Sequence, residues 1–166
     1  MLDLILLMAT LFASTTAPGP RTMRVDYYHT GNAAEERFSL DAVALEGEWP
    51  GRLDRLMDDT NLGKYLFEVL DRRTNRILYS RGFASIYGEW ETTGEAKQMH
   101  RTFSESVRFP APDAPAQLVL KKRDPQNAFR EVWSVVIDPA SQAVDRSAPP
   151  AGAHVWAVMQ NGPPRD

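Results

Sequence analysis

The segment ILYSRGFASIYGEWETT, residues 77–93, decides the fold. It begins with an alternation that puts Ile77 and Tyr79 on one face and small or polar residues on much of the other, and a period of two is typical of a β-strand. The alternation ends at Gly88, after which Trp90 stands between two glutamates. The segment therefore predicts a core strand that leads into either a corner of the fold or the edge of a binding site.

The residues before this strand complete a β-hairpin. Tyr65, Phe67 and Val69 alternate with other residues over 64–70, and the polar sequence DRRTN at 71–75 separates the two strands. Asp and Asn at the ends of so short a segment favour a tight turn. Similar alternating runs follow one another along the chain, with turn signals every ten residues or so. This pattern predicts an all-β fold, an antiparallel β-sandwich of about seven or eight strands of the immunoglobulin or fibronectin kind.

Two irregularities interrupt the alternation. The apolar phase slips between Leu40 and Val43, which predicts a β-bulge near Asp41 and Ala42. Residues 93–101 contain several good helix formers, and they predict one short helix.

The composition excludes several classes of protein. The 166 residues suit a single domain with a sizeable core, since 43% of them are hydrophobic. The net charge is only −3 and basic residues are interleaved with acids, so no nucleic-acid footprint is present. The sequence contains no cysteine, which excludes disulfides, thiol nucleophiles and thiolate metal sites.

The two ends of the chain differ in composition from its middle. Residues 1–17 combine an apolar run with small residues, and Thr15 and Ala17 suit the −3 and −1 positions of a cleavage site. No Lys or Arg precedes the run, so the usual basic start of a signal peptide is missing. We expect a signal peptide at 1–17, a secreted or periplasmic protein, and no membrane span in the mature form, because the run is too short. Residues 21–139 are then the β-sandwich, and 140–166, rich in Ala, Ser and Pro, are a linker.

The acidic run at residues 58–61 is a candidate cation site. Asp58, Asp59 and Asn61 supply the oxygen ligands that calcium prefers. The run lacks the alternate spacing of a loop that wraps an ion, however. The favoured alternative is a turn or cap in which these side chains accept hydrogen bonds from backbone amides.

Glu89 and Glu91 bracket Trp90 in the manner of a sugar-binding or glycosidase edge. On a strand, residues two apart share one face at roughly 6–7 Å, a separation compatible with acid and base catalysis on a glycoside. We favour the simpler interpretation, in which Trp90 packs over the end of the sandwich and both glutamates face water.

The histidines give no self-contained metal site. His29, His100 and His154 are far apart in sequence, and no His-Glu-x-x-His motif is present. We expect each to lie at the surface or at the end of a strand. A nucleophile elbow and a phosphate-binding glycine loop are also missing.

Three longer motifs carry a resemblance to a known family. They are TMRVDYYHTGN at 22–32, DDTNLGKY at 58–65 and YSRGFASIYGEWETT at 79–93. Together they resemble the N-terminal domain of the IgA-peptidase family of secreted bacterial zinc metallopeptidases. The shorter sequence RTFSES at 101–106 continues the match, which extends over about 22–145.

The resemblance implies a β-sandwich placed ahead of a catalytic domain whose zinc lies on a His-Glu-x-x-His helix. That motif is missing here, so no catalytic or zinc residue is carried over, no cofactor is expected in this chain, and zinc is expected only in the catalytic domain. The resemblance favours a non-catalytic accessory domain, either a fragment of a peptidase or free-standing, with the catalytic domain as its partner and with protein substrate as a second partner. The alternatives are a stand-alone extracellular glycan- or protein-binding module and a small hydrolase. For contact with a partner, the candidate residues are Tyr87, Glu89, Trp90 and Glu91.

Overall fold

The computed structural model describes residues 19–148, 152, 156–159 and 161–162. The predicted signal peptide at 1–17 and part of the predicted linker at 140–166 lie outside the described residues. The described chain forms strands, one α-helix, and a 3-10 helix at Glu95–Lys97. The strands and the α-helix have these bounds: β1 Arg21–Gly31, β2 Glu36–Glu48, β3 Tyr65–Asp71, β4 Ile77–Phe83, α1 Ile86–Trp90, β5 Arg101–Pro110, β6 Ala116–Arg123, β7 Phe129–Ile137 and β8 Val144–Asp145.

Two four-stranded sheets pack against each other and confirm the all-β prediction. One sheet has the order β5-β1-β2-β8 and the other β4-β3-β6-β7. All pairs are antiparallel except β2 with β8. Alternate residues of both sheets point inward and form one core, whose buried members include Met23, Val25, Phe67, Leu118 and Leu120.

The hairpin predicted from the sequence is present as β3 and β4. Its register runs from Tyr65 opposite Phe83 to Leu70 opposite Ile77. The turn is closed by Asp71, whose carboxylate oxygen accepts hydrogen bonds from the backbone amides at positions 73 and 74, at 3.0 and 2.7 Å. An aspartate in this role mimics a backbone turn and fixes the loop.

The predicted β-bulge is also present. Asp26 of β1 lies opposite Ala42, whereas the next residue, Tyr27, lies opposite Leu40, so Asp41 is the extra residue on β2. An extra residue shifts the alternation of β2 by one position, so the apolar side chains on both sides of the bulge can face the same way, and it increases the local twist.

The α-helix lies before the segment in which a helix was predicted. Within 93–101 only the 3-10 turn Glu95–Lys97 forms, and the α-helix occupies Ile86–Trp90. The side chain of Ser85 caps this helix by accepting a hydrogen bond from the amide of Gly88 at 2.9 Å. A serine N-cap satisfies one of the amides that a helix start leaves without a partner. The chain thus turns from strand to helix directly after β4, and α1 closes one end of the sandwich.

The first sheet extends past the domain boundary predicted at 139. Strand β8 pairs in parallel with β2, with Val144 opposite Val43 and Asp145 opposite Ala44. Among the described residues, no helix has the length and hydropathy of a membrane span.

Candidate functional site

Charged side chains meet inside the sandwich at the end that α1 closes. They come from β1, β2, β5 and β6, from the residue before β3 and from the residue that ends α1. We call this group the ionic network, and its members are His29, Glu36, Glu105, Lys122, Lys64 and Glu91.

His29 is the centre of the network. Its side chain is only 1% exposed, its Nδ1 lies 3.2 Å from Glu105 Oε2, and its Nε2 lies 3.0 Å from Glu36 Oε2. An ionised carboxylate can only accept a hydrogen bond, so both ring nitrogens must carry a proton. Burial by itself lowers the pKa of His29, but the hydrogen bonds to Glu105 and Glu36 outweigh it and raise that pKa above its usual value. The protonated ring, an imidazolium held between two carboxylates, is thus the form that the site favours.

Glu36 is ionised although it lies inside the domain. Besides His29, its carboxylate accepts a hydrogen bond from the Tyr65 hydroxyl at 2.8 Å and lies 3.1 Å from Lys122 Nζ. Burial raises the pKa of Glu36, and its contacts with His29, Lys122 and Tyr65 lower it further than burial raises it. Burial also raises the pKa of the Tyr65 hydroxyl, with Glu36 adding to the effect, so Tyr65 remains a donor.

Glu105 links the network to helix α1. One of its oxygens pairs with His29, and the other accepts a hydrogen bond from the Tyr87 amide at 3.2 Å. Burial raises the pKa of Glu105, but the hydrogen bonds from His29 and from the Tyr87 amide lower it below its usual value. The ring of Tyr87 stacks on the imidazole of His29 with 3.7 Å between ring centroids. The same histidine thus contacts α1 through a carboxylate and through an aromatic ring.

Glu91 fastens the other end of α1. Its carboxylate lies 2.8 Å from Lys122 Nζ and forms a second ion pair with Lys64. Lys64 also donates to the carbonyl of Gly88 at 3.1 Å. With His29 protonated, the network contains as many positive groups as carboxylates, and this balance offsets much of the cost of burying charge.

The network does not fit a zinc ion. The two nitrogens of His29 face carboxylates on opposite sides of the ring, and the ammonium of Lys122 already lies against both Glu36 and Glu91. No point is therefore shared by the ligand atoms that a tetrahedral metal needs. Over the described part of the chain, no group of three or more His, Cys, Asp or Glu side chains is arranged to hold a metal.

The four partner-binding candidates are brought together around α1, but in unequal positions. Tyr87 is fully buried and Trp90 is 9% exposed, with the indole nitrogen of Trp90 donating to Glu95 at 2.8 Å. Glu91 belongs to the ionic network, and Glu89 is exposed. Contact between this segment and a partner stays a prediction, and of the four residues Glu89 is the one that offers its side chain to solvent.

The glycosidase alternative for Glu89 and Glu91 is wrong in its geometry. The favoured interpretation agrees with the structure for the buried Trp90 and the exposed Glu89, and it is wrong for Glu91, which does not face water. Glu89 and Glu91 do not lie on a strand, because the first is in helix α1 and the second ends it. Residues two apart on a helix point about 200° away from each other. One therefore faces water and the other the lysines of the network, so they do not flank a common substrate. The glycan-binding alternative relied on an accessible Trp90, and this side chain is buried.

The calcium candidates have protein partners. Asp58 accepts hydrogen bonds from the Gly82 amide at 2.6 Å and from the backbone and hydroxyl of Thr60 at 2.8 and 2.6 Å. Asp59 pairs with Arg55. Asn61, at φ +51°, accepts a hydrogen bond from an arginine on β6. Asp58 thus has the turn-and-cap role that was the favoured alternative, and it holds the loop before β3 against the edge of β4.

The expectation for the histidines is wrong for His29. It lies on the inward face of β1 with Met23 and Val25, and period-two counting along that strand is the signal that could have identified it as a core position. His100 is exposed, as expected, and contacts Glu35. His154 lies outside the described residues.

Two sheets packed over a hydrophobic core, with a short helix and a self-paired ionic network at one end, define a β-sandwich domain. A family model described as Peptidase M64 N-terminus matches residues 15–134, and the chain belongs to that family. The match includes every member of the ionic network and confirms the resemblance to the N-terminal domain of IgA-peptidase-family metallopeptidases. A comparison with curated proteins gives no match.

Proposed function

We propose that this chain is a non-catalytic accessory domain of a secreted zinc metallopeptidase, that it packs against the catalytic domain, and that it helps to orient the protein substrate. The observation that carries the proposal is the family match over residues 15–134, which makes the chain the N-terminal domain of a peptidase. Zinc would belong to the catalytic domain.

The state of the buried charges supports a non-catalytic role. A general base needs a free lone pair within reach of a substrate. Both nitrogens of His29 are engaged by Glu36 and Glu105, and the ring is 1% exposed. The network therefore links the elements at this end, and His29 has no free lone pair for a reactant.

A contact surface is available on the outer side of α1. Ile86 is 61% exposed and Glu89 is also exposed. Beside them an open groove of about 260 Å³ runs between the turn after β4 and the middle of β5, bordered by Phe83, Ser104 and Ser106 among others. An exposed apolar residue beside a groove with polar edges is typical of a protein contact.

The test combines the full chain with the purified catalytic domain of a peptidase of this family. Binding is measured by titration calorimetry, and cleavage is followed on a folded protein substrate. We expect Glu89→Arg and Ile86→Asp to weaken binding at least tenfold. Asp113→Arg is the matched control, because it changes an exposed acid in the loop after β5, at the opposite end of the sandwich. Cleavage that proceeds at the same rate with and without the chain, together with no measurable binding, would refute the proposal.

We also propose that the protein is exported through its first 17 residues. The support is the apolar run followed by small residues at 13–17. N-terminal sequencing of the full chain recovered from the periplasm or medium of a bacterial host tests this, and we expect the mature protein to begin at Pro18. Recovery of intact chain from the cytoplasm alone would contradict it.

A further inference from the structure

Helix α1 depends on the ionic network for its position. It has only five residues, too few for a helix to be stable by itself in water. Two of its polar links to the sheets run through the network, namely the Tyr87 amide to Glu105 and Glu91 to Lys64 and Lys122. The Tyr87 hydroxyl also bonds to the turn between β1 and β2, and the rings of Tyr87 and Trp90 pack with Phe103. A change of charge inside the network therefore acts directly on the attachment of α1.

We propose that His29 is a proton-dependent latch: its doubly protonated ring holds Glu36 and Glu105 together beneath α1, and loss of one proton releases α1 from the end of the sandwich. The latch is a property of this domain alone and does not depend on which partner the domain contacts.

The groups around His29 explain why a single proton matters. They come from every element packed at this end of the sandwich and are Tyr27, Glu36, Lys64, Tyr65, Tyr87, Glu91, Glu105 and Lys122. All three tyrosines have a raised pKa and stay neutral. Three carboxylates then face two ammonium groups, and only a protonated His29 makes the charges equal.

A neutral ring in the same place is unfavourable for a second reason. One of its nitrogens then presents a lone pair to a carboxylate oxygen at 3.0 or 3.2 Å. Two acceptors at hydrogen-bond distance repel each other, and the contact is costly for a ring that is only 1% exposed. The ring or the carboxylate has to move. Since Glu105 also accepts the Tyr87 amide, movement of Glu105 breaks an anchor of α1.

The direction of the pH effect follows from the site. The pKa of His29 is raised in the folded state above 6.5, its ordinary value. The stabilisation is therefore complete below pH 6.5 and is lost as the pH rises through the folded-state pKa. Between those two values unfolding releases one proton, so the unfolded fraction rises by up to about tenfold for each pH unit. Release of α1 has the same sign, because it accompanies movement of Glu105 away from the neutral ring.

Nuclear magnetic resonance on the full chain tests the latch. Ring-nitrogen shifts give the protonation state of His29, and hydrogen-exchange protection factors of the Tyr87 amide, which correct for the intrinsic effect of pH on exchange, report the release of α1. We expect the pKa of His29 to lie above its ordinary value of 6.5. We also expect protection of the Tyr87 amide to fall with rising pH, while the Leu118 amide in the core strand β6, which exchanges only through unfolding, stays the better protected of the two at every pH.

Variants separate the latch from a merely structural histidine. Glu105→Gln should lower the pKa of His29 and move the loss of protection to lower pH, and His100→Gln, which changes an exposed histidine, should leave both unchanged. His29→Gln should abolish the pH dependence. If that variant fails to fold, the titration of the unsubstituted chain decides. A His29 that titrates near 6.5, or Tyr87 protection that is independent of pH while His29 titrates, would overturn the proposal.

Discussion

Removing the hydroxyl of Tyr87 isolates one link between α1 and the first sheet. The side chain is fully buried, and its hydroxyl donates to the carbonyl oxygens of Asn32 and Glu35 at 2.8 and 3.0 Å. These carbonyls lie in the turn between β1 and β2. Tyr87→Phe keeps the ring on His29 and deletes only this donor.

The magnitude follows from what each carbonyl retains. That of Glu35 still accepts the Asn32 amide at 2.9 Å, whereas the Asn32 carbonyl loses the hydroxyl that it accepted. The substitution therefore removes one net hydrogen bond and leaves the Asn32 carbonyl without its donor. Together these losses should lower the free energy of unfolding by about 1–2 kcal/mol. In a chain of this size that corresponds to a fall in melting temperature of roughly 2–8 °C. Tyr87→Ala, which also leaves a cavity beside His29, should cost about 3–5 kcal/mol.

Urea unfolding of the full chain, followed by circular dichroism, gives both values. The control is Tyr28→Phe, because Tyr28 is on β1 but 40% exposed. We expect the control to stay within about 0.3 kcal/mol of the original chain, as surface changes usually do. A Tyr87→Phe protein as stable as the control would show that the hydroxyl does not hold the β1–β2 turn to α1.

Three further predictions concern other parts of the sandwich. Gly82→Ala should destabilise the fold by about 1–3 kcal/mol, because a Cβ there would lie 2.2 Å from a backbone oxygen. The control is Gly94→Ala, whose Cβ meets nothing within 4 Å and which should be neutral in the same urea titration. Asp58→Asn should lower the free energy of unfolding by about 1–2 kcal/mol, because an amide group replaces one of the oxygens that accept the three hydrogen bonds of this side chain. Titration calorimetry with calcium should give no heat for either protein. The pKa values of Glu36 and Glu105 lie below the ordinary 4.5, so their stabilisation is complete above pH 4.5 and is lost as the pH falls through the folded-state values. Urea titrations from pH 6 to pH 3 should show the free energy of unfolding decreasing, and a constant value would contradict the assignment.

The strands were predictable because they obey a local rule. Alternation over 64–70 and 77–84 needs only neighbouring residues to be read, and the slip near Asp41 signals a bulge for the same reason. Helix α1 was missed because Gly88 and the aromatics around it look like the end of a strand. The one local sign was Ser85, a good N-cap residue.

The ionic network was not predictable as a group. His29 and Glu36 are close in sequence, but Glu105 and Lys122 join them only after β5 and β6 have taken their places. A carboxylate on a strand is ordinarily interpreted as a solvent-facing residue, although Glu105 shares the inward phase of Phe103, Val107 and Phe109 on β5. Burial of paired charges is thus a tertiary property, although the inward phase of His29 was already visible.

The pairing of β1 with β5 has a kinetic consequence. Gly31 lies opposite Arg101 and Thr22 opposite Pro110, so every pair in this ladder joins residues at least 70 positions apart. The first sheet cannot be completed by local hairpins, and the entropy of closing so long a loop has to be overcome before the ladder stabilises anything. Domains with such topology fold in milliseconds to seconds and not in microseconds. Glu105 reaches His29 only through this ladder, so in any state in which β5 has not yet paired with β1, His29 has one carboxylate partner instead of two.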